Sequence, residues 1–153
     1  MRMPYPIKKA FSLIEVLVFV TILSMVLIVS AVIITVSMRQ NTLRLNMLKA
    51  NHYNEQLIEW IRSEKESNWG TFLTHADKTY CFVSDDISWP FTSVSNKTFC
   101  TYDLGGKYRR YAILETDHTD PPSKVMVRAI SEWDEAGNSY STQLDTLFTI
   151  WEQ

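Results

Sequence analysis

The chain has 153 residues, a formal net charge of −2 and 12% aromatic residues, which is material for one domain rather than two. Without residues 1–10, which hold Arg2, Lys8 and Lys9, the balance falls to −5, and no basic cluster larger than Arg109–Arg110 follows residue 38. That charge distribution carries no nucleic-acid footprint.

From Val16 to Met38 there are 23 residues without a charge. The run is long enough to cross a bilayer as a helix and too long for the apolar core of a secretory signal. The small residue Ala10 stands before the run, not after it. Lys8 and Lys9 form a positive flank that stays cytoplasmic, so the rest of the chain is expected to face outward. Glu15 is anomalous for a plain anchor. An ionised carboxylate inside hydrocarbon costs about 3 kcal/mol even on lenient scales. Two groups could answer it: the unsatisfied N–H groups at a helix start, and a free α-amino group made by cleavage between Ala10 and Phe11. An amine on a neighbouring, axially offset subunit could reach it equally well.

The stretch "KKAFSLIEVLVFVTIL" resembles the N-terminal signature of the type IV pilin and pseudopilin family. The resemblance is specific over residues 8–24 and extends more loosely over the long helix. It implies a leader at 1–10, a membrane-spanning and filament-core segment at 11–38, and an extracytoplasmic globular domain at 39–153. It also implies cleavage after Ala10 by a prepilin peptidase, N-methylation of Phe11 by the same enzyme, and a role for Glu15 in neutralising the N-terminus of an adjacent subunit. Family members commonly have Gly where Ala10 stands. Many major pilins carry a proline about twenty-two residues into the mature chain, where Val32 stands here; that departure resembles a minor pilin. The implied partners are other pilin subunits, the prepilin peptidase/methyltransferase, the inner membrane and its assembly platform. The implied location is the inner membrane as a single pass, then a periplasmic or cell-surface filament. Two alternatives stay open: a pseudopilin of a type II secretion or DNA-uptake system, and an unprocessed single-span protein with an extracytoplasmic binding or adhesin domain.

The helical pattern continues beyond Met38. Leu43, Met47, Ala50, Asn54, Leu57 and Ile61 recur in steps of three and four, and Arg39, Arg44, Lys49, Glu55, Glu59 and Arg62 take the other face. No Gly or Pro interrupts the chain between Phe11 and Trp69, so one helix of some 50 residues is expected, ending near Ser63–Ser67. Thr21, Ser24, Ser30, Thr35 and Ser37 in its apolar half permit close helix packing and can donate to backbone carbonyls.

The outer region reads as strands. "TYCFV" at 79–83 and "KTFCTYDL" at 97–104 are strand-like. Gly105–Gly106 is a turn into "KYRRYAILE" at 107–115, which would pair with 97–104 as a hairpin. "VMVRAISEW" at 125–133 alternates cleanly, "DEAGN" turns, and 139–151 returns antiparallel with an irregularity expected near Asp145, where the apolar parity switches. The expected fold class is α+β: a long N-terminal helix, membrane-spanning then amphipathic, packed on a four- to five-stranded antiparallel sheet. Cys81 and Cys100 lie on the same side of the membrane segment, which suggests a disulfide worth about 3 kcal/mol; two buried free thiols are the other reading. Arg109 and Arg110 read as a solvated face, and Asp85–Asp86 as a solvated turn.

His52 reads as a surface or packing residue, and His75 and His118 as loop residues. No ligand spacing for zinc or calcium, no phosphate-binding loop and no nucleophile elbow is visible. No metal, cofactor or catalytic residue is therefore expected. The five tryptophans could serve the core or a contact surface, and the sequence does not separate these.

Overall fold

The computed structural model describes residues 12–119 and 121–150. The chain divides into two compact units, Met1–Leu43 and Arg44–Gln153. One helix, α1 (Leu13–Ser67, 55 residues), runs through both. At 1.5 Å per residue its contour is about 80 Å. The absence of Gly and Pro explains its continuity, because no backbone N–H is missing and no residue carries the extra entropy cost of glycine.

In the first unit the described residues are all helical after Ser12, and nearly all are exposed. The hydroxyls turn back onto the helix. Thr21 donates to the Val18 carbonyl at 2.8 Å, Ser24 to Val20 at 2.7 Å, Ser30 to Val26 at 2.8 Å and Thr35 to Ala31 at 2.9 Å. These four hydroxyls are thus satisfied within a helix whose surface is otherwise largely apolar.

The second unit is a two-layer α+β domain. The part of α1 from Arg44 onward packs on a four-stranded antiparallel sheet, with α2 (Trp69–Leu73), β1 (Lys78–Cys81), β2 (Tyr108–Thr116), β3 (Lys124–Glu135) and β4 (Asn138–Thr149) following in order. The spatial order is β1-β2-β3-β4, a meander. The helix buries Ala50, Asn54, Leu57, Ile58, Ile61 and Lys65. The inner face of the sheet supplies Ala112, Leu114, Val125, Val127, Ala129 and Phe148. Phe72 of α2 packs edge-on against Phe148, with ring centroids 6.1 Å apart. Of the expected stripe, Leu43 is half-buried and Met47 exposed. Asn46 is used instead: its Nδ2 donates to Glu135, and its Oδ1 accepts from the Tyr108 hydroxyl at 3.0 Å.

Asparagines fix where the helix sits along the sheet. The Asn51 Oδ1 accepts from the Thr142 hydroxyl. Asn54, 1% exposed, accepts from Ser131 Oγ at 2.7 Å and donates to the Thr142 carbonyl at 3.1 Å. Sliding the helix by one turn would strand these groups without partners, a larger cost than an apolar seam would impose.

Three strand expectations are corrected. Residues 97–104 are not a strand: Lys97–Phe99 is a 3-10 turn capped by the Asn96 side chain, which accepts from the Thr98 N–H at 3.2 Å. The hairpin partner of β2 on that side is β1, with Cys81 opposite Tyr111. The Gly105–Gly106 turn is present, and both glycines have positive φ. No irregularity occurs at Asp145: the register of β3 with β4 is unbroken from Lys124 opposite Thr149 to Glu135 opposite Asn138. The apolar parity switch arises because Leu147 is exposed on the outer face of β4, whereas Phe148 is buried on its inner face. The turn between β3 and β4 is also tighter than "DEAGN": Ala136 and Gly137 alone form it, both at positive φ. That suits a type I′ hairpin, and Ala136 bears the strain.

Replacing Asn54 by Ala is expected to lower the stability of the outer unit by about 1–3 kcal/mol, because Ser131 loses its buried partner. Ala136→Asn is expected to raise it by about 0.5 kcal/mol, since Asn tolerates the left-handed region. Denaturant unfolding followed by tryptophan fluorescence measures both.

Candidate functional site

Two regions hold the residues singled out from the sequence. The first is the start of α1. The Ser12 carbonyl accepts from the N–H groups of Glu15 at 3.0 Å and Val16 at 3.3 Å, so Glu15 lies in the first turn. That position favours a carboxylate through the helix dipole. The side chain is exposed, and among the described residues no ion pair or hydrogen bond reaches its carboxylate. Ala10 and Phe11 lie outside the described residues, and so does Trp151.

From Leu13 to Met38 the large apolar side chains are exposed, and the best 18-residue window of α1 has a mean hydropathy of 3.0 with none of it buried. The helix is long and apolar enough to cross a membrane. Exposed apolar residues also persist past the charge-free run, at Leu45, Met47 and Leu48.

The second region is the outer face of the sheet. Cys81 and Cys100 are bonded to each other, with Cα atoms 5.4 Å apart. The bond fastens the segment before β2 across the outer face, where Cys100, Tyr111 and Ile130 form a small core of their own. Beside it, Glu132, 6% exposed, is a polar hub. Lys97 Nζ donates to Oε1 at 2.9 Å and the Tyr111 hydroxyl to the same oxygen at 2.7 Å. Arg109 donates to Oε2 through Nε at 2.8 Å and also through Nη2, while its guanidinium lies 4.7 Å from the centroid of the Tyr102 ring. Burial pushes the Glu132 carboxyl up, but these hydrogen bonds and the positive charge of Arg109 outweigh it and hold the group below its ordinary 4.5. Burial, and then Glu132, push the Tyr111 phenol up.

The reading of Arg109–Arg110 as a solvated face is therefore corrected. Arg109 is committed to Glu132. Arg110 is fully buried on the inner face, where it donates to the Tyr53 carbonyl at 3.3 Å and the Ser84 carbonyl at 2.7 Å. Burial lowers its pKa. It bridges α1 to the segment after β1, using carbonyl acceptors that spacing does not reveal. Asp85 and Asp86 are exposed, as a solvated turn requires.

Trp89 is the other tether of that segment. Its Nε1 donates to Glu64 at 2.9 Å, it contacts Trp60 at 5.1 Å between centroids, and it stacks on His75 at 3.9 Å. Trp60, Trp69 and Trp89 are half-buried and Trp133 buried, so these four serve the core. His52 is exposed, bonding Gln56 at 3.0 Å. His118 is an exposed loop residue.

A cleft of about 460 Å³ opens between Asp77, Ser93, Ser95 and Glu115. Its acids are already engaged, Asp77 by Thr116 at 2.9 Å and Glu115 by Arg128 at 2.6 Å. Among the described residues no three His, Cys, Asp or Glu side chains converge as a metal site.

A long helix, apolar in its N-terminal half, that packs its C-terminal part on a small antiparallel sheet is a pilin-like architecture. Compared with known proteins, the chain matches no family model, no curated protein and no solved structure.

Glu132 gives the outer unit an acid-dependent stability. Its folded pKa lies below its unfolded one, so its contribution is fully present above about pH 4.5 and is lost as pH falls through the folded value. Glu132→Gln is expected to cost about 2 kcal/mol at pH 7 and to flatten the loss of stability below pH 4.5, as read from thermal unfolding across pH. Reduction of the disulfide is expected to remove about 3 kcal/mol more, read in the same assay with and without reductant.

Proposed function

We propose that this chain is a minor subunit of a bacterial type IV pilus-like filament, inserted in the inner membrane and assembled through α1. The observation that carries the reading is the start of that helix. A carboxylate occupies the first turn of a helix whose next 23 residues bear no charge and whose apolar side chains are uncovered. Such a surface needs lipid before assembly and sister helices after it, and Glu15 needs a cation in both settings.

The prepilin peptidase cuts after Ala10 and methylates the new amine of Phe11. That amine, on an adjacent subunit, meets Glu15. In a core of low dielectric the pair is directional, because an unpaired carboxylate there is far more costly than a paired one. Glu15 thereby acts as a register device, admitting a subunit fully only when its charge is met. The outer unit is the part displayed to neighbours and solvent, and its role is structural. Other pilin subunits, the peptidase and the inner-membrane assembly platform are the partners this reading requires.

Two measurements test it. The mass of the mature protein is expected to correspond to a chain starting at N-methylated Phe11; recovery of the intact leader on a lone membrane span would overturn the reading. Glu15→Val is expected to leave membrane insertion unchanged and to reduce incorporation into filaments at least tenfold, as one unanswered charge of a few kcal/mol would. Wild-type incorporation of that variant removes the role assigned to Glu15.

A further inference from the structure

The sheet has two edges, and they differ. β1, at one end of the order, has four residues, and the segment after it folds back on it, where the Val94 N–H donates to the Thr79 carbonyl at 2.8 Å. β4, at the other end, has 12 residues and no strand beside it. Ala136 and Gly137 alone form the turn, so Glu135 and Asn138 close the hairpin as a hydrogen-bonded pair, and every second pair after them is bonded in the same way. The even-numbered residues of β4 thus bond β3. The odd-numbered ones, from Ser139 to Thr149, turn their N–H and C=O groups outward. Among the described residues no hydrogen bond reaches those outward groups.

Long edges are normally blunted by lysine, proline, a bulge or a covering segment. Between Ser139 and Thr149 there is no Lys, Arg, Pro or Gly, and the register with β3 is unbroken. The open edge runs for about 34 Å. Apolar groups flank it on both faces: Leu144, 36% exposed, on the inner one and Leu147, 45% exposed, on the outer. Asp145 is its one charge. It is exposed on the outer face, accepts from the Gln143 side-chain amide at 2.7 Å, and forms no ion pair among the described residues.

We propose that the open edge of β4 takes up an extended segment of a different protein as a fifth strand, apolar at alternate positions and carrying a basic residue opposite Asp145. The outward backbone groups supply the hydrogen bonds, and the side chains on the two faces select the segment: an apolar one covers Leu144, and a cation answers Asp145. A second copy of this chain is a poor occupant. α1 and β4 run in the same direction, since Asn46 meets Glu135 at the hairpin end and Asn54 meets Thr142 further on. Antiparallel pairing of two β4 edges would therefore set two α1 helices in opposite directions. Helices that cross one membrane keep the same direction in every copy. The edge belongs to the second unit, so the inference does not depend on cleavage after Ala10 or on the role of Glu15.

The test uses the full chain in lipid nanodiscs and a nine-residue peptide, acetylated and amidated, that alternates Thr and Val with Lys at its centre. Paired antiparallel across Ser141 to Thr149, it sets Lys opposite Asp145 and Val opposite Leu144. Deuterium exchange of backbone amides, resolved by residue, is expected to slow at least tenfold at Gln143, Asp145 and Leu147 and to stay unchanged at Thr79 on the other edge. No slowing at millimolar peptide overturns the proposal. So does equal slowing by the same peptide N-methylated at its Thr and Lys residues, which cannot donate to β4. Gln143→Pro removes one outward N–H and no bond to β3. It is expected to leave thermal unfolding nearly unchanged and to abolish the slowing at Asp145 and Leu147; slowing that persists overturns the proposal. Asp145→Lys is expected to weaken the Lys peptide about fivefold and to favour a Glu-centred one by as much. Equal binding of both peptides by both chains overturns the chemistry assigned to the partner. Protection of the same amides without peptide, rising with the density of the chain in the membrane, would assign the edge to a second copy and overturn the proposal too.

Discussion

The uncovered apolar surface of α1 between Leu13 and Met38 is the constraint on which the rest of the structure depends. Nineteen large apolar side chains there are exposed, and each facing water would cost on the order of 1–2 kcal/mol relative to burial. Among the described residues nothing covers them. The environment must do so, and only lipid or other helices present a matching surface. The helix meets this demand by turning hydroxyls inward: Thr21, Ser24, Ser30, Thr35 and Thr42 each donate to a carbonyl three or four residues earlier. Glu15 is the exception, and the function proposed above has it answered by a partner.

The outer unit solves a different problem. A domain of this size buries too little for a wide margin of stability. It compensates with polar groups placed where they specify geometry. Asn46, Asn51 and Asn54 recur along the helix and engage Glu135, Thr142 and Ser131, so the helix is held at one position on the sheet. On the opposite face the disulfide and Glu132 hold down the segment around Lys97–Cys100. The two faces of the sheet are thus both covered, one by helix and one by a strapped segment, although the outer core is small.

Much of this was legible in the chain, for physical reasons that differ by element. The helix was legible because its period persists from Leu43 to Ile61 and no breaker interrupts it. β3 was legible because Val125, Val127, Ala129 and Ser131 alternate with Met126, Arg128, Ile130 and Glu132, which puts one small or branched set on a single face. Residues 97–104 were misread because Phe99 and Tyr102 mimic a strand pattern, while the local hydrogen bond of Asn96 and the tie from Cys100 to Cys81 select a turn. Propensity describes the residues singly, and here a side-chain cap and a covalent link decided. Arg110 was misread for a related reason: burial of a guanidinium against two carbonyls depends on tertiary placement and leaves no mark in spacing. Glu132 occupies the outer face of its strand in the alternation, as a solvated acid would, and only the strapped segment above it makes it a hub. The acid at Glu15 stood out because its neighbours make it expensive. Ala10 and Phe11 gain meaning from it, and they lie outside the described residues.

Two charge arrangements on one helix then act at different depths. In the proposed filament, the single carboxylate near its start would lie where any ion pair is strong and any orphan is costly. Further along, Arg44, Lys49, Glu55 and Glu59 are exposed, where single pairs are worth about 0.2–1 kcal/mol and are screened by salt. On that reading the first arrangement decides whether a neighbouring helix is admitted at all. The second is too weak to hold a complex, yet it can choose between alignments of nearly equal apolar contact, because helices of this kind set side by side in register would bring like charges together. An apolar surface alone has no such preference, since one leucine is as good a neighbour as the next. Charges sorted along α1 give that surface a preference its leucines alone do not have.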